Sequence, residues 1–163
     1  GGNMDVITMS SVVQQGLILR DRIFTVSTML PDKPGEMVKI SQVIADENGN
    51  IVWEANFISG KPGEDATPEG VWQINSNDGA SKLIGAKDPA TGKPKYVSPV
   101  SYWMPFEGNM IGFHDATWQN DSSFDSAESY KWCGSHGCIN LRLADAKALH
   151  DCISVGLCVV VHS

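Results

Sequence analysis

Long apolar runs are missing from this chain. The longest, Leu157-Cys158-Val159-Val160-Val161, falls far short of the ~20 residues that span a bilayer as a helix, and no basic-then-apolar leader precedes it. Gly1-Gly2 reads as a cloning remnant, so any membrane contact is expected only through a signal or anchor segment absent from this chain. Positive charge is also sparse. Twelve Lys and Arg stand against nineteen Asp and Glu, a net charge of -7, which repels a polyanion at long range and argues against a nucleic-acid partner. Gly92-Lys93-Pro94 lacks both the glycine spacing and the Ser or Thr of a phosphate-binding loop. Cysteine is absent until Cys133, after which Cys138, Cys152 and Cys158 follow. A domain of this length buries an adequate core without staples, so these thiols pose a chemical question before a structural one.

What is present suits one globular unit. Hydrophobic residues fill 42% of the 163 positions, with five Trp, five Phe and three Tyr, enough for one core and hardly for two, so residues 1–163 read as a single domain. Residues 1–35 are a weakly patterned lead-in, with strand-like pieces at Gly16-Leu17-Ile18-Leu19 and Ile23-Phe24-Thr25-Val26 and a break from Pro31 to Gly35. Met37-Val38-Lys39-Ile40 and Ile51-Val52-Trp53 flank Asn48-Gly49, a dipeptide that accepts positive φ, and predict a β-hairpin. Lys33-Pro34-Gly35-Glu36 and Lys61-Pro62-Gly63-Glu64 read as turns. Val71-Trp72-Gln73-Ile74 predicts a strand, Asn75 to Lys95 a polar loop, and Leu157 to Val161 a buried strand. Helical periodicity shows once, at Leu143, Ala146, Leu149 and Ile153 with Gly156 beyond, which predicts a helix over about 143–155. The class is mainly β with one late α-helix.

Chemistry concentrates just ahead of that helix. Cys133-Gly134-Ser135-His136-Gly137-Cys138-Ile139-Asn140 packs two thiols, an imidazole, a hydroxyl and two glycines into eight residues. Glycines around Ser135-His136 allow a tight turn whose N–H groups could hold an oxyanion. Cys138, near a helix start and an imidazole, is expected to have a lowered pKa and to attack a carbonyl as thiolate. A base is then needed, and His114 and His136 are the candidates, since His150 lies on the predicted helix and His162 near the terminus. His136 is too close in sequence to face Cys138 easily. His114 ends an apolar stretch and precedes Asp115, so the Asp115 carboxylate or a backbone carbonyl would fix its tautomer.

Ser135-His136-Gly137-Cys138-Ile139-Asn140, preceded by His114, resembles the active-site signature of the L,D-transpeptidase catalytic domain of bacterial cell-wall synthesis. The likeness covers about residues 37–163 and takes in Ser59-Gly60-Lys61-Pro62-Gly63, Thr67-Pro68-Glu69-Gly70-Val71, Tyr102-Trp103-Met104-Pro105-Phe106 and Gly112-Phe113-His114-Asp115-Ala116. Two features depart from it: twenty residues separate His114 from Ser135, a long spacing for the family, and Cys133, Cys152 and Cys158 are not family features. The resemblance implies a β-sandwich or barrel-like fold in which Cys138 cleaves the bond between the third, L-centred residue and the terminal D-Ala of a peptidoglycan stem tetrapeptide. The acyl group then passes from a thioester to an acceptor amine, forming a 3-3 cross-link. It makes His114 the base and the N–H groups of Gly137 and Cys138 the oxyanion donors, with His136, Ser135 and Asn140 shaping the loop. Tyr102 and Trp103 become a wall over the stem peptide or, equally, core residues. No metal or cofactor is implied, carbapenems are expected inhibitors, and the place of work is the cell wall or surface of a bacterium.

Three rivals share these residues. Cys133, His136, Cys138 and His114 could form a structural zinc tetrad, although four residues between Cys133 and Cys138, with His136 inside, fit common zinc spacings badly. A Cys133–Cys138 disulfide would leave a redox switch or a non-catalytic wall-binding module. Water in place of the amine would give an L,D-carboxypeptidase. Cys152 and Cys158 read as small apolar packing residues.

Overall fold

The computed structural model describes residues 23–27, 41–45 and 51–162, with side chains from Val52 onward. Strands β1 (Ile23–Ser27), β2 (Ser41–Ala45), β3 (Ile51–Asn56), β4 (Gly70–Gln73) and β10 (Cys158–His162) form one sheet in the order β3-β2-β1-β10-β4. A separate hairpin joins β5 (Ser81–Ile84) to β6 (Val97–Val100). Strands β7 (Trp103–Glu107), β8 (Ile111–Asp115) and β9 (Ile139–Leu141) form a third sheet, with β8 and β9 parallel. The fold is therefore mostly β with one main helix. Its sheets are open, and no closed barrel forms among the described residues.

That helix, α2 (Leu143–Cys152), follows a one-turn helix α1 (Tyr130–Cys133) and a 3-10 turn at Asp121–Asp125. α2 packs on β8 and β3. It buries Ala146 and Leu149 completely, two residues three positions apart on one helical face. The apolar period runs longer than the helix: Leu143 is exposed, and Ile153 is buried as the C-cap, with φ −101° and ψ 163°. Gly156 then turns with φ +88° into β10, so the helix ends three residues short of the predicted 155.

The main core gathers Trp53, Phe57, Ile74, Met104, Phe106, Phe113, Ile139, Leu141, Leu149 and Val159 from the two larger sheets and α2. Phe106 and Phe113 meet with ring centroids 5.0 Å apart at 46°, the tilted contact that suits two ring quadrupoles. A smaller cluster of Ile58, Ala116 and Phe124, with Tyr130 and Cys133 against it, lies under the segment joining β8 to β9.

Of the predicted hairpin, Ile51–Trp53 lies in β3, whose antiparallel partner is β2 at Ser41–Ala45. Met37–Ile40, Asn48-Gly49, Lys33–Glu36 and the lead-in apart from Ile23–Ser27 lie outside the described residues. Ile23–Val26 is a strand paired in parallel with β10. The stretch from Asn75 to Lys95 is not all loop, because Ser81–Ile84 pairs with Val97–Val100. Lys61–Glu64 does turn, with Gly63 at φ +97° and its carbonyl accepting from the Ala66 N–H.

Candidate active site

Strand register places the chemistry. Phe113 pairs with Ile139 and His114 with Asn140 across the parallel β8–β9 ladder. Carried back one residue, that register sets Cys138 level with Gly112, and the Gly112 backbone does hydrogen-bond the Cys138 sulfur. Residues two apart on a strand share a face, about 6.6 Å along it, so Cys138 and His114 address the same side of the sheet. Both line one cleft of about 860 Å³. Cys138 thus stands at the start of a strand. The expected place at a helix N-terminus is taken by Leu143, five residues on.

This placement reverses the expected electrostatics of the thiol. Burial pushes Cys138 up to about 11, and only the Gly112 hydrogen bond pulls the other way. Its Sγ–H faces the Met110 carbonyl at 3.6 Å. His114 is buried to 2% exposure, and that burial lowers its pKa, partly offset by the hydrogen bond to the Asp115 carbonyl and by the Asp115 charge. The resting pair is therefore neutral thiol and neutral imidazole.

The imidazole is held from several sides. Nδ1 lies 3.0 Å from the Asp115 carbonyl, which places the proton on Nδ1 and leaves Nε2 as the acceptor. Of the two expected tautomer-fixing groups, the backbone carbonyl does the work. The buried Asp115 carboxylate instead accepts from the Ser101 N–H at 2.7 Å and the Tyr102 N–H at 2.9 Å, tying the β6–β7 connection to β8. Trp103 and Trp118 flank the ring with centroids 6.0 and 5.7 Å away.

The Ser135–Cys138 loop is built by close backbone contact. Ser135 N–H donates to the Ser59 carbonyl at 3.0 Å, and Lys61 N–H donates to the Ser135 carbonyl at 3.1 Å. A Cβ on Gly60 would lie 2.9 Å from the Gly137 Cα, so only glycine lets the two segments touch. Gly137 itself has φ +113°, and a Cβ there would meet Ile111 Cδ1 at 2.3 Å. Its N–H, expected to receive an oxyanion, donates to Ser135 Oγ at 3.0 Å, while Ser135 Oγ–H donates to the Cys138 carbonyl at 2.5 Å. The Gly137 donor is engaged in this state rather than presented to the cleft.

The other expected residues divide. Asn140 is buried on the cleft wall, exchanges backbone hydrogen bonds with Ile58, and keeps its side-chain Oδ1 covered and without a hydrogen-bond partner. Trp103 also lines the cleft and donates Nε1–H to Asn109. Tyr102 does not line it; its ring packs 5.0 Å from that of His150 beside the core. His136 is exposed and stacks on Tyr96 at 5.6 Å and 22°. The zinc tetrad does not assemble: among the described residues no group of three or more His, Cys, Asp or Glu converges on a metal position. Cys133 turns its sulfur to the Ser129 carbonyl, and Cys133 and Cys138 form no disulfide with each other.

Tyr96, Met110 and Trp118 were not singled out from sequence, yet all three line the cleft. Burial raises the Tyr96 phenol, with Cys138 and Asp65 adding to the rise. Trp118 carried one signal, its position four residues beyond His114. For Tyr96, at the end of an apparent polar loop, there was none.

Comparison with known proteins gives the same picture. The sequence model of the L,D-transpeptidase catalytic domain matches residues 37–161. The NMR structure of the catalytic domain of the Enterococcus faecium L,D-transpeptidase is 30% identical, with 87% of this chain and 97% of that one covered and a TM-score of 0.65. A crystal structure of a mutant of the same enzyme is 29% identical with a TM-score of 0.69, covering 88% of this chain and 50% of that one, so this chain spans half the length of that protein. An L,D-transpeptidase of Mycobacterium smegmatis, 18% identical over 88% of this chain and 59% of its own with a TM-score of 0.65, shares the fold. A local stretch of 51 residues, 31% of this chain and 13% of the other, is 39% identical to an L-threonine ammonia-lyase of Geobacter sulfurreducens, too little to span the cleft-bearing domain. With the family model covering most of its length and the fold agreeing, the chain belongs to the L,D-transpeptidase catalytic domain family.

Proposed function

We propose that this domain is a peptidoglycan L,D-transpeptidase in which Cys138 is the nucleophile and His114 the base. The observation that carries the reading is the pair itself: a thiol and a neutral imidazole on one face of β8–β9, the latter with Nδ1 committed to a carbonyl and Nε2 left to accept a proton. The Cys138 thiol proton passes to His114 Nε2 as Sγ bonds to the carbonyl carbon of stem residue three. The imidazolium gives that proton to the nitrogen of D-Ala as the C–N bond breaks, and a thioester remains. An acceptor amine attacks the thioester, His114 takes its proton, and the thiol regains it as the new amide forms. Because the thiol rests neutral, proton transfer and attack are coupled, and no standing thiolate is needed.

The developing oxyanion lies beside the Cys138 N–H, and Gly137 N–H joins it by exchanging Ser135 Oγ for the oxyanion. Asn140 lines the same cleft and is taken as a stem-contacting residue in this reading. His136 shapes the loop and is not the base. The domain would work outside the cytoplasm at the cell wall, as one unit over residues 1–163, with peptidoglycan stems as donor and acceptor.

Solved relatives include the Enterococcus faecium catalytic domain acylated by ertapenem, and carbapenem acylation of Cys138 gives the first test. Intact-protein mass spectrometry with and without prior reduction should show one adduct in both samples, mapping to Cys138 and absent from Cys138→Ala. With a disaccharide tetrapeptide as donor, loss of D-Ala with a 3-3 dimer supports transfer. A tripeptide alone makes the domain an L,D-carboxypeptidase. No adduct and no D-Ala release would overturn the enzyme reading.

A further inference from the structure

The residue after β9 breaks a local rule. Arg142 occupies the N-cap of α2 without making a capping bond, where Ser, Thr, Asp or Asn would satisfy a backbone N–H and contribute about 1 kcal/mol. A guanidinium there also faces the positive end of the helix dipole. A side chain held against both preferences serves something else.

What it serves is the long segment from Ala116 to Gly134, which leaves β8 just after His114 and returns just before Ser135. Arg142 Nε donates to Asp121 Oδ1 at 2.7 Å, and Nη2 donates to the Asp121 carbonyl at 3.0 Å and Asp125 Oδ1 at 2.8 Å. Its guanidinium lies 5.0 Å from the centroid of Phe124, the buried anchor of the smaller core cluster. Asp121 is three residues past Trp118, whose ring flanks His114. Gln119 ties the near end of the segment to the far end through the Cys133 carbonyl at 2.8 Å. The Arg142 backbone continues the strand that carries Asn140, two residues after Cys138.

We infer that Arg142 is a positioning residue for the active site: by clamping the Asp121–Asp125 turn to the end of β9, it holds Trp118 against His114 and so fixes the imidazole beside Cys138. The inference rests on His114 being the base. Isolated ion pairs at the surface contribute little stability, about 0–1 kcal/mol, and Asp121 and Asp125 are largely exposed. The clamp therefore acts on geometry more than on folding, and misplacement by about 1 Å is enough to slow catalysis up to 10²-fold. Lysine in its place would keep the charge and lose the fork that reaches two carboxylates and a carbonyl.

The test compares the unaltered protein with Arg142→Ala, Arg142→Lys and the double variant Asp121→Asn/Asp125→Asn. Readouts are the histidine NMR titration of His114, kcat/KM for acyl transfer, its pH profile, and Tm. Loss of the clamp should let water reach the ring, raise the His114 titration toward the ordinary value, shift the acid limb of the pH profile in step, and lower kcat/KM about tenfold with Tm nearly unchanged. Arg142→Lys should fall between. The carboxamide pair, which removes the charges but keeps acceptor oxygens and the Asp121 carbonyl, should move the same readouts in the same direction by less, which keeps the test alive if Arg142→Ala folds poorly. An unmoved His114 titration and unmoved kcat/KM would reduce Arg142 to a surface staple and overturn the inference. The titration needs no turnover, so a protein that fails to transfer acyl groups refutes the proposed reaction while still reporting on the clamp.

Discussion

Cys138 and His114 have opposite problems with charge, and the same cause. Burial disfavours the thiolate on one and the imidazolium on the other, so each waits in the form the other needs. Alkylation of Cys138 by iodoacetamide should accordingly keep accelerating above pH 9 with a midpoint toward about 11. A plateau near pH 8 in the mass-resolved rate would reveal a standing thiolate and refute the neutral pair. The expectation of a lowered pKa failed because proximity to a helix was read along the chain, whereas strand β9 intervenes and the real neighbours, Gly112 and Met110, are contributed by β8. Residue types were legible at His114 and in Ser135–Asn140, since a thiol, an imidazole and a turn glycine each announce themselves by chemistry. Solvation was not legible, because it depends on which distant strand lies alongside.

Parallel pairing of β8 and β9 makes the site, and a parallel pair requires a long connection. The twenty residues between His114 and Ser135 are that connection, folded on Phe124. What holds β8 in place on its other side is Asp115, which accepts two backbone N–H bonds from Ser101 and Tyr102. Hydrogen bonds to a charged group contribute about 1.5–3 kcal/mol each when buried. Both donors are partly exposed, so Asp115→Ala should destabilise the domain by about 2–3 kcal/mol, read from urea melts. It should also slow acylation by releasing the strand on which His114 sits; unchanged stability would show that water replaces the carboxylate at no cost. Strands at this scale were unevenly readable. The dense apolar run Leu157–Val161 reads as a strand and forms one at Cys158–His162, and the apolar stretch ending at His114 becomes β8. Ser81–Ile84 and Val97–Val100 alternate exposed with half-buried or buried positions and acquire strand geometry from each other, a pairing invisible in either segment. The helix was visible by period but not by end, because Ile153 stays apolar for the core after the backbone has left the helix.

The central sheet closes the chain on itself, with β10 lying between β1 and β4 and burying Val159 and Val161. Local loss at the active site is thereby linked to the stability of the whole domain, and pH exposes the link. His114 has a lowered pKa in the fold, while in the unfolded chain it titrates near 6.5. Below that value the unfolded state binds a proton that the folded state refuses, so the stability of the folded form is lost as pH falls through about 6.5 and on toward the folded value. Protonation of surface groups works the other way at first, because it relieves the self-repulsion of a chain with net charge -7. The two effects separate in a difference measurement. Urea denaturation of the unaltered protein and of His114→Gln at pH 8 and pH 5 should show the first losing more stability on acidification than the second. Equal losses would mean that His114 becomes protonated within the fold at no penalty, and the neutral base, with the coupled proton transfer built on it, would have to be abandoned.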